Sequence, residues 1–153
     1  MPRVRGLEDD DVEVAATPLE GIWGVHLGQD DYDASRQSPA GRSALRELRG
    51  LGRGVGLSTH TLTQVRAAAL EKPDYIGFGP VFPTDTKSDT AEVTGAAALE
   101  RACTYYRGRV AAIGGITEAR ASKIRAAGAA AIAAIAAPEA TTSHDCELRA
   151  RSL

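Results

Sequence analysis

The chain repeats one three-part unit: a short apolar run, a glycine-rich or polar turn, and a helix-length segment. The apolar runs fall at 22–27 (IWGVHL), 52–58 (GRGVGLS), 75–78 (YIGF), 109–113 (RVAAI) and 129–136 (AAAIAAIA). The segments between them carry their own helix signals. Ser38 precedes Pro39, which fits an N-cap with proline at the first helical position, and that helix runs through Leu45 and Leu48 to Gly50. A second helix covers about 63–72 and is closed by Pro73. A third covers 94–107, with Ala97, Ala98, Leu99, Ala102 and Tyr105 apolar and a stop at Gly108. Thr117 is placed to cap a fourth, which carries Ile124 and stops at Gly128. Apolar strands without alternation, separated by helices, predict a parallel sheet. The expectation is an α/β fold of roughly six strands with the last near 129–136.

At 153 residues the chain is long enough for one domain with a real core. The domain is expected over 1–137, followed by a polar tail from Pro138 to the end, 138–153. The formal net charge is −2, which gives no reason to expect a nucleic acid as partner. No run has the length of a membrane span, the one after Gly128 being short and mostly alanine, so no membrane association is expected. The start is acidic, unlike a signal peptide, and Cys103 and Cys146 lie far apart with no metal-type spacing. Free thiols in the cytoplasm follow as the simplest expectation.

The polar residues collect after the apolar runs. Beyond YIGF the chain turns at Gly79-Pro80, leaves the sheet through Pro83, and enters Thr84, Asp85, Thr86 and Lys87. Two hydroxyls and an ammonium suit an anionic ligand, although a solvated loop with a surface lysine has the same wording. Gly28-Gln29-Asp30-Asp31 reads as a turn with two carboxylates after the 22–27 run. Glu8, Asp9, Asp10 and Asp11 form a second acidic cluster, either solvated or, at a strand end, able to hold a hard cation; Leu7 is the one hint of such a strand. His26, inside a strand, reads as a satisfied core histidine. Gly114-Gly115 before a helix is a ready seat for phosphate. Asp31, Ser58, 84–87 and Gly114-Gly115 all follow carboxyl ends of strands, where barrels and open α/β sheets hold their sites.

Taken together, GVHLGQDD (24–31), GLSTH (56–60), DYIGFGPVFPTDTK (74–87) and IGGIT (113–117) resemble the thiamine-phosphate synthase family, in order and in wording, over roughly 9–137. The wording of 79–87 separates this family from the thiazole tautomerases on the same scaffold. The resemblance implies a (β/α)8 barrel of the TIM type, with about six of its eight units here. It implies a transferase that joins hydroxymethylpyrimidine diphosphate to a thiazole phosphate and releases pyrophosphate, with Mg2+ as cofactor. Carried over by position, Asp31 and Asp10 match the metal carboxylates and Asp9 takes the place of an asparagine at the substrate. Ser58 matches the contact to the pyrimidine, Thr84 and Thr86 the contacts to the thiazole substrate, and Lys87 the contact to the diphosphate. Ser58 and Lys87 would then take part in catalysis. Gly115 matches the glycine whose backbone meets the thiazole phosphate.

Departures from the family are also legible. Its first units and their Gln-x-Arg-x-Lys motif have no counterpart before Asp9, its closing Ile-Ser reads Ile135-Ala136, and its Gly-Ala-Asp-Gly reads Gly128-Ala129-Ala130-Ala131. The connection from Asp31 to Ser58 is longer than usual. Two readings follow. One is a synthase with its start missing from the chain, or completed by strands of another copy in a homo-oligomer. The other is a weakly active or inactive homologue that binds phosphate or forms oligomers.

Overall fold

The computed structural model describes residues 3–6, 22–84 and 92–133. They form β1 (Arg3–Gly6), β2 (Ile22–Leu27), α1 (Gln29–Gln37), α2 (Pro39–Gly50), β3 (Gly54–Thr59), α3 (Leu62–Glu71), β4 (Tyr75–Phe78), α4 (Gly95–Tyr105), β5 (Arg109–Ile113), α5 (Glu118–Ala126) and β6 (Ala131–Ala133). Every neighbouring pair of strands is parallel, and their spatial order is their chain order. A parallel sheet that steps always in the same direction through right-handed crossovers carries its helices on one face. Among the described residues six strands are present, as expected, and no helix is long and apolar enough to cross a membrane.

The strands do alternate, which the sequence reading missed. Register places Val25, Leu27, Val55, Leu57, Ile76, Phe78, Val110 and Ala112 on one face. All are buried, in one core with Leu45, Leu48, Val65, Leu99 and Ile124 of the helices. The intervening positions are Gly24, His26, Gly54, Gly56, Ser58, Tyr75, Gly77, Ala111 and Ile113, and none belongs to that core. One face is therefore aliphatic, and the other is mostly glycine with His26, Tyr75 and Ser58, and with Ala111 and Ile113 on β5. The alternation is one of size, so a pattern scored by hydrophobicity alone overlooks it.

Several elements form for the reasons legible in the sequence. Ser38 Oγ accepts the Gly41 N–H at 2.9 Å and Pro39 opens α2. At α3 the cap is reciprocal: Thr61 Oγ1 accepts from Gln64 N–H at 3.2 Å, and Gln64 Oε1 accepts from Thr61 N–H at 3.1 Å. That helix ends on Lys72 with φ 52°, just before Pro73. Gly128, with φ 91°, follows α5 as its stop.

Other elements correct the reading. The residues expected as a turn, Gln29-Asp30-Asp31, are the first turn of α1. Asp31 Oδ2 accepts the Gly28 N–H at 3.1 Å, and acidic residues suit the positive end of the helix. Only Tyr32 and Ser35 are buried along α1, so its apolar periodicity is too sparse to read. Thr117 sits at the N-cap of α5, but its side chain makes no capping bond. The strand at 52–58 begins at Gly54, because Gly52 is in a turn with φ 68°. The last strand, expected from 129, begins at Ala131 and is described as far as Ala133; 134–136 lie outside the described residues. A strand does precede the first acidic cluster, at Arg3–Gly6, so Leu7 was not its only trace. Cys103 is a free thiol whose pKa is pushed up by burial. Cys146 and the 138–153 tail lie outside the described residues.

Candidate functional site

Four strands bring their carboxyl ends to one edge of the sheet, and the segments leaving them are tied together in two pairs. The first pair joins β2 to β3. Gln29, in the first turn of α1, donates its amide to the backbone oxygen of Ser58. Asp31 lies two residues on, half-buried. Ser58 is the penultimate residue of β3, and its hydroxyl lies 2.8 Å from His26 Nε2.

The second pair joins the segment after β4 to the turn after β5. Val81 N–H donates to Ile113 O at 2.8 Å and Phe82 N–H to Gly114 O at 3.1 Å, which ties 81–82 to the turn after β5. Gly114 and Gly115 hold φ of 90° and 60°, a region that glycine enters without strain. A Cβ on Gly115 would stand 2.3 Å from Pro83 O and 2.6 Å from Phe82 O. Thr84 follows Pro83 directly, so it is carried beside Gly115. Arg120 closes this junction: its guanidinium lies 4.6 Å over the Phe82 ring and donates to Gly115 O at 2.6 Å. On the other side, Thr94 donates through both N–H (2.9 Å) and Oγ1 (3.1 Å) to Pro80 O. The Gly79–Pro80 peptide is cis.

Sequence reasoning therefore anticipated Asp31, Ser58, Thr84 and Gly115 at one edge, and the structure places them there. Asp9, Asp10, Thr86, Lys87, Ile135 and Ala136 lie outside the described residues. Among the described residues, no group of three His, Cys, Asp or Glu side chains converges to hold a metal.

His26 is the residue most underread. It does have partners, but it is not in the core: it sits half-buried on the glycine face. Its Nδ1 is 2.9 Å from Tyr75 Oη, its Nε2 meets Ser58 Oγ, and its ring stacks on Tyr75 at 5.3 Å and 29°. Burial pushes the Tyr75 phenol up to about 12. Two glycines make room for these rings. A Cβ on Gly56 would meet the Tyr75 ring at 2.1 Å, and one on Gly77 would meet Ile113 Cδ1 at 2.7 Å and His26 Cε1 at 3.0 Å. The available signal was parity: His26 falls between Val25 and Leu27, so it faces away from them.

Known proteins resemble this chain in sequence and in fold. Residues 4–137 match the family described as thiamine monophosphate synthase. A thiamine-phosphate synthase of Levilactobacillus brevis is 41% identical over 143 residues, covering 91% of this chain and 59% of that protein. One of Pelotomaculum thermopropionicum is 39% identical over 145 residues, covering 95% of this chain and 61% of that protein. A solved thiamine phosphate pyrophosphorylase from Pyrococcus furiosus superposes with a TM-score of 0.62 at 28% identity, over 86% of this chain and 55% of that one. The chain thus spans roughly six-tenths of the length of the curated relatives it matches. With a parallel sheet wound in chain order, its polar segments gathered at one edge, and a family match over most of its length, the chain belongs to the thiamine monophosphate synthase family.

Proposed function

We propose that this chain carries the site at which hydroxymethylpyrimidine diphosphate is joined to a thiazole phosphate, giving thiamine phosphate and pyrophosphate, on a scaffold of the (β/α)8 type. The observation that carries the reading is the junction of 80–84 with Gly114-Gly115. Within a member of this family, the close approach of the segment leading to Thr84 to the Gly114-Gly115 turn supports reading that turn as a backbone seat for phosphate. Gly115 would offer that seat to the thiazole phosphate, with Thr84 and Thr86 beside the thiazole and Ile135 and Ala136 flanking the phosphate. Ser58 would meet the pyrimidine, near Asp9, and Lys87 would meet the diphosphate.

The donor set at Asp31 suits magnesium. Asp31 is a carboxylate in the first turn of α1, just beyond the carboxyl end of β2, and magnesium keeps several waters and takes one or two protein carboxylates plus phosphate oxygens. Asp10 would supply the second carboxylate. A magnesium ion held there would offset the charge that grows on the diphosphate as its C–O bond breaks. Lys87 would act on the same charge, binding it more strongly as it develops than in the ground state. Ser58 would orient the ring, and the small-residue face would exclude water from the carbon that becomes cationic.

The test is formation of thiamine phosphate by the purified chain from both substrates with magnesium, compared with Ser58→Ala and Asp31→Asn. Product that depends on magnesium and falls in both variants supports the reading. Activity indifferent to both substitutions refutes the assigned site, and an inactive chain that still binds phosphate favours the non-catalytic alternative.

A further inference from the structure

We propose that Tyr75, His26 and Ser58 form a hydrogen-bond chain of fixed polarity, Tyr75 to His26 to Ser58, which presents the Ser58 hydroxyl as a donor to an acceptor nitrogen of a heteroaromatic ligand. The proposal rests on the reading above for its choice of ligand, but the polarity rests on the geometry of the three side chains and the chemistry of the two hydroxyls. His26 lies between two hydroxyls, with Nδ1 at 2.9 Å from Tyr75 Oη and Nε2 at 2.8 Å from Ser58 Oγ. A neutral imidazole donates through one nitrogen and accepts through the other. The chain therefore has two directions to choose from.

The chemistry of the two ends decides between them. A phenol is far more acidic than an aliphatic alcohol and is the better donor to an imidazole nitrogen. Tyr75 also stays protonated, because burial holds its phenol well above the usual range. With Tyr75 donating to Nδ1, the ring proton sits on Nε2 and is given to Ser58 Oγ. The serine hydroxyl, having accepted, turns its own proton outward. The opposite direction would spend the serine proton on His26 and leave Ser58 facing a ligand only as an acceptor.

Neighbouring residues fix the chain's geometry. The His26 and Tyr75 rings stack at 5.3 Å, and Gly56 and Gly77 leave the slots in which they lie. Trp23 also packs against Tyr75, with ring centroids 5.9 Å apart and planes tilted by 49°. The backbone of Ser58 is held in turn by the Gln29 amide. His26 and Tyr75 are thus positioning residues, acting on a ligand through Ser58. The chain ends in a single donor hydroxyl, which makes it specific for what Ser58 meets. An aromatic ring carrying a lone pair in its plane would be recognised, and a plain carbocycle would gain nothing.

The experiment reads polarity first and recognition second. Long-range 1H–15N correlation spectra of the full chain, labelled at histidine ring nitrogens, report the tautomer of His26 at a pH well above the ordinary histidine range, with His26→Gln assigning the signal. The Nε2–H tautomer is expected, and Tyr75→Phe should release it into a mixture of both forms while leaving the circular dichroism spectrum unchanged. Calorimetric titrations then compare hydroxymethylpyrimidine diphosphate with benzyl diphosphate, whose ring has no nitrogen. Tyr75→Phe and Ser58→Ala should each weaken the pyrimidine by roughly fivefold to tenfold, about the worth of one hydrogen bond, and leave the benzyl compound unaffected. An Nδ1–H tautomer, an imidazolium, or an equal loss for both diphosphates would overturn the proposal. The expected tautomer in a chain that binds neither diphosphate would uphold the polarity and count against the synthase reading instead.

Discussion

Substituting Gly115 by alanine should break the junction on which the proposed phosphate seat depends, and the size of the effect can be worked out against an internal control. Gly115 has φ of 60°, and a Cβ there would stand 2.3 Å from Pro83 O and 2.6 Å from Phe82 O. Both obstacles are backbone atoms, so no side-chain rotation relieves them. Gly52 has nearly the same φ, 68°, but nothing within 4 Å of its added Cβ. Gly52→Ala therefore measures the left-handed backbone penalty alone, about 1–2 kcal/mol, offset by up to about 1 kcal/mol of lost freedom in the unfolded chain. Gly115→Ala carries the same penalty. It must also push 82–83 away from the turn, at the expense of the Phe82 N–H to Gly114 O bond and the Val81 N–H to Ile113 O bond. At about 0.5–1.5 kcal/mol for each bond, the variant should be less stable than Gly52→Ala by about 1–3 kcal/mol. Urea unfolding of both variants gives the difference directly. In turnover assays the KM for thiazole phosphate should rise in Gly115→Ala and stay unchanged in Gly52→Ala. Equal stability losses in the two variants would show that the junction yields freely, and the argument from close approach would fail.

Three further outcomes are expected. Because burial raises the Tyr75 phenol to about 12 in the folded chain, its contribution to stability is complete below pH 10 and is lost as pH rises towards 12; denaturant unfolding across that window should show a shallower fall in Tyr75→Phe than in the unsubstituted chain. Asp31→Asn keeps an acceptor for the Gly28 N–H but removes the charge, so stability should stay within about 0.5 kcal/mol while the magnesium concentration for half-maximal activity rises at least about tenfold; an unchanged magnesium requirement would remove Asp31 from the metal site. Lys87→Ala should lower kcat by more than it raises the KM for thiazole phosphate, as expected of a cation that acts on the departing diphosphate, and an unaltered kcat would refute that role.

The elements that were legible in the sequence are those whose ends carry local chemistry. Ser38-Pro39 announces α2 because the cap and the missing proline N–H act within four residues, and Pro73 closes α3 for the same reason. α1 escaped notice because its stabilisation comes from one carboxylate on its own N-terminus and from burial of Tyr32 and Ser35 against other elements. Asp31, Ser58, Thr84 and Gly115 could be set on one edge because strand ends can be read from sequence, and in a parallel sheet all carboxyl ends lie together. Their partners were another matter. The bonds from His26 to Tyr75 and Ser58 span 49 and 32 residues, and nothing local at either end requires the other.

The sheet's two faces show why those long-range partners were still within reach of physical reasoning. Parity assigns Val55 and Leu57 to one side of β3 and Gly54, Gly56 and Ser58 to the other, and register then lays Gly56 beside His26 and Tyr75. A glycine in the middle of a strand weakens it by forfeiting packing and adding freedom to the unfolded chain. Glycine at Gly54, Gly56 and Gly77, all on one face, therefore needs a compensating gain. The gain is room: Gly54 lies under the Trp23 ring and Gly56 under the Tyr75 ring, each from a neighbouring strand, and Gly77 leaves space for Ile113 of β5 and, from across β3, for the His26 ring. Rings set down in this way lie against backbone instead of in the aliphatic core, and their polar atoms stay able to bond. A run of same-parity glycines in adjacent parallel strands thus points to a face built for polar chemistry, and it does so before any partner has been identified.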